Sequence, residues 1–191
     1  MYLKRNDELK ILCLYLGDYK RQFYLREISR LSKLPLKNTQ NLLSILEKKN
    51  ILKSVYRGKN KYFSLNLENI QTKIYLLQSE IYKTILFLEK YPQLKTFLKE
   101  VSETTIIVFG SFAKLAAEKN SDLDLLMIAE KEEKLPIYLI PYKIHEIRMS
   151  EKSFVKGLEK GETLIKEIEE NHILLNNHSF YINNMWRQYA K

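Results

Sequence analysis

Ile-Ile-Val-Phe-Gly-Ser-Phe-Ala-Lys-Leu-Ala-Ala-Glu-Lys-Asn-Ser-Asp-Leu-Asp-Leu-Leu-Met-Ile, residues 106–128, is the stretch that decides how this chain is read. A run of β-branched and aromatic residues ends at Gly110-Ser111, and a helix-compatible segment follows. Asp122 and Asp124 then alternate with leucines at the entry to a second apolar run. Residues two apart on a strand point to one face, so the two carboxylates project together. A glycine lets the backbone approach a ligand closely, and a helix N-terminus offers unpaired amides to phosphate. Paired carboxylates hold magnesium that carries substrate phosphates. The stretch therefore predicts a magnesium-nucleotide site. Ser111 adds a hydroxyl donor, and Lys114, one turn into the helix, adds a cation within reach of a phosphate oxygen.

Composition limits what surrounds that site. The 191 residues suit one large domain or two small ones, with enough apolar content for a sizeable core. Uninterrupted apolar runs such as 106–109 and 125–129 are far too short to span a bilayer. The first seven residues carry no apolar h-region and no small-residue cleavage site, so the expectation is a cytoplasmic protein with no membrane partner. Cys13 is the only cysteine, which excludes an intrachain disulfide and a cysteine-rich zinc site. Charge is unevenly spread. Residues 1–66 hold 15 Lys+Arg against 5 Asp+Glu, whereas residues 67–191 hold 17 against 18. That asymmetry points to a polyanion-binding module joined to a near-neutral body.

Within the basic third, Leu9, Leu12 and Leu16 give a helical face, and Phe23-Tyr24 is short and β-like. A helix over 25–32 is broken by Pro35, and another begins at Lys37 or Asn38 with Leu42, Leu43, Ile45 and Leu46 turned inward. Residues 51–65 read as a β-hairpin whose tip is Arg57-Gly58-Lys59-Asn60. In this order the elements resemble a winged helix-turn-helix. That resemblance implies double-stranded DNA as partner, with Lys37, Asn38, Thr39, Gln40 and Asn41 at the head of the helix entering the major groove. Arg57, Lys59 and Lys61 would reach the DNA backbone or minor groove. Because winged helices also serve as protein-protein modules, the fold alone does not establish DNA binding.

Residues 67–91 carry Ile70, Ile74, Leu77, Ile81 and Leu88 at heptad spacing. Two readings stand: a helix packed within the chain, or a dimerisation helix that makes a homodimer and presents two winged helices to a two-fold DNA site. Pro92 ends it.

The central stretch resembles the DNA polymerase β-like nucleotidyltransferases, in particular the minimal ones, in its Gly110-Ser111, its eleven-residue spacing from Ser111 to Asp122, and Ser121-Asp122-Leu123-Asp124-Leu125 between strands. The resemblance implies that Asp122 and Asp124 are catalytic metal ligands for Mg2+. It also implies that Gly110, Ser111 and Lys114 bind the nucleotide, and that an NMP moves from an NTP to an acceptor on a protein, an RNA or a small molecule. The family usually has a glycine and an acidic residue soon after the Gly-Ser pair, where Leu115-Ala116 stand here. It also usually adds a third carboxylate from a later strand. Over 142–149 the only candidate is Glu146, as metal ligand or general base, on the face of Ile144 and Arg148. His145 lies on the other face, and some minimal members have a His there and no acid.

The fold class expected is α+β: a winged helix-turn-helix over 1–66, a helical connector over 67–102, and a small mixed β-sheet flanked by helices over 103–191. The leading function is a Mg-dependent nucleotidyltransferase coupled to a DNA-binding module. The alternative is a DNA-binding regulator or antitoxin-like protein whose nucleotidyltransferase fold senses nucleotide without turnover.

Overall fold

Ile11 and Leu12 of α1 (Leu3–Cys13) are buried, and Tyr15 and Leu16 continue the buried row through the turn that follows. The computed structural model describes residues 3–101, 104–118, 120–130 and 135–190. They form two compact units: Met1–Tyr82 with Met185–Lys191, and Lys83–Asn184. The division falls inside a long helix, α4 (Ile70–Lys90).

In the first unit, β1 (Phe23–Tyr24) leads directly into α2 (Leu25–Ser32), which stops where Lys33 turns left-handed at φ 57° and its N–H returns to Arg30 O. Pro35, with φ fixed near the value it adopts here, then caps α3 (Leu36–Lys48). Helical spacing turns Thr39, Leu42, Leu43 and Leu46 of α3 inward. The strands β2 (Leu52–Arg57) and β3 (Asn60–Leu65) form a hairpin across the two-residue turn Gly58-Lys59. Gly58 sits at φ +59°, a conformation that costs glycine nothing. Pairing of β1 with β3 completes a three-stranded sheet in the order β1-β3-β2. Tyr15 donates to Phe63 O at 3.1 Å and meets Phe23 edge-on, tying α1 to that sheet.

The second unit is organised on a four-stranded mixed sheet, β6-β5-β4-β7. Its central strands are β4 (Thr105–Phe109) and β5 (Leu123–Ile128), with β6 (Ile144–Met149) and β7 (Ile173–Leu174) at the edges. The β5–β6 pair is parallel and the other two are antiparallel. Every residue of β4 is buried, as are Leu125 to Ile128 of β5, which is why both read as unbroken apolar runs. Ile106, Val108, Leu123, Leu125 and Met127 share one core cluster with Phe87, Tyr91 and, from α5 (Leu94–Lys99), Leu94 and Phe97. Alternation therefore sends Asp122 and Asp124 to the opposite face of the sheet from that cluster.

Three local expectations need correcting. The helix after the Gly-Ser turn, α6 (Gly110–Ala113), is a single turn. Lys114 caps it, and Leu115 at φ 55° prevents its continuation. Lys114 is thus the end of the helix and not a position inside it. Gly157, which reads as a breaker, lies within α7 (Glu151–Lys160), where a Cβ would come within 2.8 Å of Ile165 on α8 (Thr163–Glu170). Close packing of the two helices, not a turn, accounts for that glycine. Finally, β6 starts at Ile144 and not at Tyr142. The N-cap at Ser150 is as expected, accepting the Ser153 N–H at 3.1 Å. The chain closes with α9 (His178–Tyr189). No described helix is long and apolar enough to cross a membrane.

Candidate functional site

Antiparallel pairing sets Phe109, the last residue of β4, opposite Asp124. The chain then turns through Gly110 at φ +65°, directly against the Asp124 carboxylate. A side chain at position 110 would collide with Asp124 Oδ2. The register thus brings Gly110, Ser111, Asp122 and Asp124 to one end of the sheet, and one Asp124 carboxylate oxygen occupies the place that a Cβ at position 110 would take.

The parallel β5–β6 register decides what lies beside the aspartates. Asp124 pairs with His145 and Leu125 with Glu146, so His145 shares the face of Asp124 and Glu146 takes the face of Leu125. His145 Nδ1 lies 3.0 Å from Asp124 Oδ1. The Glu146 carboxylate instead accepts from Arg148 Nε. Glu146 is therefore not brought to the two aspartates; a one-residue phase difference on β6 separates them. One step earlier in the register, Lys143 Nζ donates to Asp122 Oδ2 at 2.8 Å. That hydrogen bond and the Asp122 charge hold the Lys143 ammonium above the usual lysine range. The face thus carries two acid-base pairs in alternation, Asp122 with Lys143 and Asp124 with His145. Sequence reading weighed His145 and passed over Lys143. The same period-two argument that selected the aspartates would have selected it, once the partner strand and its register were known.

Among the described residues, no three His, Cys, Asp or Glu side chains gather closely enough to hold a metal ion by themselves. The chain offers two carboxylates. No described residue donates a hydrogen bond to Asp122 Oδ1 or Asp124 Oδ2. A donor set of that kind suits magnesium delivered with a triphosphate, whose oxygens complete the shell.

The second cluster of candidate residues lies on α3 and the hairpin. Lys37, Gln40 and Asn41 are exposed, and Ser44 extends their face by one turn. Thr39 is fully buried with its hydroxyl on Pro35 O, so helical phase removes it from any outer surface. Asn38 is half-buried and donates to Asp7 Oδ2 at 3.1 Å. At the hairpin, Lys59 is exposed at the tip and the Arg57 guanidinium lies over the Tyr62 ring. Lys61 is committed to Glu47 at 2.8 Å. A groove of about 830 Å³ runs between these elements, lined by Arg26, Gln40, Ser44, Tyr56, Lys59 and Lys61 among others. Arg26 and Ser44 were not singled out from sequence, because neither belongs to a motif. Their placement depends on how α2 and α3 pack.

Residues 92–180 match the family model described as polymerase beta, nucleotidyltransferase. The match supports that superfamily for this part of the chain and, with it, nucleotidyl transfer as the general activity and a nucleoside triphosphate as substrate. No curated protein and no solved structure matches the chain significantly.

Proposed function

We propose that the segment matched by the family is a divalent-metal-dependent nucleotidyltransferase that moves a nucleoside monophosphate from an NTP to an acceptor hydroxyl. The observation that carries this reading is the approach of Gly110 to Asp124, which joins the Gly-Ser turn and the carboxylate pair into one site. Gly110 and Ser111 receive the phosphates, with Lys114 beside them, while Asp122 and Asp124 hold the metal. Nucleotidyltransferases of this family generally use a divalent ion such as Mg2+, which neutralises phosphate charge and orients the attacking oxygen when bound. The acceptor oxygen bonds to the α-phosphorus as the bond to pyrophosphate breaks. Pyrophosphate release from labelled NTPs with Mg2+, lost in the Asp122→Ala, Asp124→Ala double variant, is the expected result.

A second reading, nucleotide sensing without turnover, draws on a specific observation. Glu146 lies out of phase with the aspartates, and Lys143 and His145 stand beside them where a third carboxylate would serve as base. Nucleotide binding without pyrophosphate release across protein, RNA and small-molecule acceptors would favour it.

For the N-terminal unit the proposal is a winged helix-turn-helix that binds double-stranded DNA. Supporting it are the exposed Lys37-Gln40-Asn41 face of α3, the cationic hairpin tip and the groove between them. Ile70, Ile74, Ile81 and Ile85 form an exposed apolar row on α4, which supports a homodimer. Sedimentation of the wild type against an Ile74→Glu, Ile81→Glu variant would test it: a wild-type dimer and a variant monomer are expected.

A further inference from the structure

The alternating pairs where β5 and β6 begin carry an inference about Lys143. The two carboxylates carry a double negative charge, and a complex of one divalent ion with a triphosphate carries another. A site that accepts such a complex needs cations, and it needs them beside the carboxylates. Lys143 is there. Its backbone carbonyl is fixed by the Leu123 N–H at 2.7 Å, so its Cα has a set place in the register opposite Asp122. Its side chain is 81% exposed, against 39% for Asp122, so little holds the ammonium beyond the ion pair itself. Exposed pairs of this kind contribute little and exchange readily. A lysine is a point charge on a flexible stem, able to turn from one anion to another nearby.

From this geometry we propose that Lys143 is a nucleotide-phosphate ligand that serves as the counter-ion of Asp122 in the free protein. The inference rests on the nucleotide-site reading above and adds a residue and an order of events to it. In the free protein Lys143 occupies Asp122 Oδ2 and competes with any metal that approaches alone. When the metal arrives with a triphosphate, repulsion between the ion and the ammonium, and attraction from the phosphates, move Lys143 from the carboxylate to a phosphate oxygen. The competitor becomes a ligand. His145 has no such freedom of reach, since its ring is short and held at Asp124. Lys114 stands at the end of α6, on the Gly-Ser side, and does not touch either carboxylate. Lys143 is thus the cation whose loss should act in opposite directions on metal and on metal-nucleotide.

That opposition is the test. Mn2+ alone, followed by EPR titration, is compared with Mn2+ plus the α,β-methylene analogue of whichever of the four NTPs the full-length wild type binds best. Lys143→Met is expected to bind Mn2+ alone up to about threefold more tightly, the scale of a lost exposed ion pair. The same variant should bind the Mn-nucleotide complex about tenfold more weakly, the scale of a lost charge-assisted hydrogen bond. Lys143→Arg keeps the charge and should stay close to wild type in both titrations. Equal nucleotide affinity in wild type and Lys143→Met, or both affinities moving the same way, overturns the proposal while leaving the nucleotide site standing. A wild-type chain that binds none of the four analogues overturns the nucleotide-site reading and this inference with it.

Discussion

Gly110 and Asp124 meet with no room for a side chain between them: a methyl group on Gly110 would overlap Asp124 Oδ2 and come within 3.1 Å of its Cγ. The backbone at Gly110 is also left-handed, at φ +65°. Two independent constraints therefore select glycine there, one from the Asp124 carboxylate and one from the turn. Gly110→Ala should displace Asp124 and strain the turn, the left-handed backbone alone costing about 1–2 kcal/mol. Expected are a loss of Mn-nucleotide affinity in calorimetry and a modest fall in the urea midpoint. Native nucleotide affinity in a folded Gly110→Ala chain would show that Asp124 does not hold the metal where the turn touches it.

Which residue of β6 serves the site is decided by phase. His145 is beside Asp124, and Glu146 is on the other face with Arg148. Partners that orient a metal-binding side chain are worth about 10–100-fold in affinity. Metal-nucleotide affinity should accordingly fall about tenfold in His145→Ala and change far less in Glu146→Ala. The reverse order of effects would return the role to Glu146.

These two cases mark how far the sequence could be read. Alternation in 122–125 and the Gly-Ser pair pointed to residues that the fold brings to one end of the sheet, because both are local patterns. The phase of β6 against β5 was not local. His145 and Glu146 are adjacent, and only the pairing register says which of them faces Asp124. The same limit appears at Thr39, which reads as one of five polar residues at a helix head yet is turned fully inward by its position on α3. Gly157 misleads for a related reason: a glycine selected by helix-helix contact looks, in sequence, like one selected by a turn. Helix starts and stops governed by proline and by capping serine were legible, since their causes lie within a few residues.

DNA binding by the first unit predicts a contrast between neighbouring residues. Lys37, Gln40 and Lys59 are exposed, whereas Thr39 is buried and Lys61 is held by Glu47. Affinity for duplex DNA should fall steeply as salt rises, and neutralising Lys37 or Lys59 should each flatten the log-log salt slope by about 1. Thr39→Val should leave DNA affinity near wild type. A flat salt response in the wild type would exclude a phosphate-driven interface.

Stability of the same unit should depend on one ion pair whose carboxylate is buried. Glu8 is nearly buried, and both its oxygens accept from Lys49 Nζ, at 3.1 and 2.8 Å, while Lys49 also donates to Tyr75. The contact therefore joins α1, the end of α3 and α4. Burial pulls the Lys49 ammonium down, but the hydrogen bonds to Glu8 and Tyr75 outweigh it and leave it above the usual lysine value. A raised lysine contributes stability that is fully present at neutral pH and is lost only as pH climbs beyond about 10.4, through the raised folded value. Removing the cation is different at every pH, because it leaves the Glu8 carboxylate buried without that partner. Lys49→Met should cost about 1–3 kcal/mol in urea unfolding at pH 7. Adding Glu8→Gln should recover part of the loss, since the orphaned charge goes with it. A double variant no more stable than Lys49→Met alone would mean that Glu8 finds another partner once the lysine is gone.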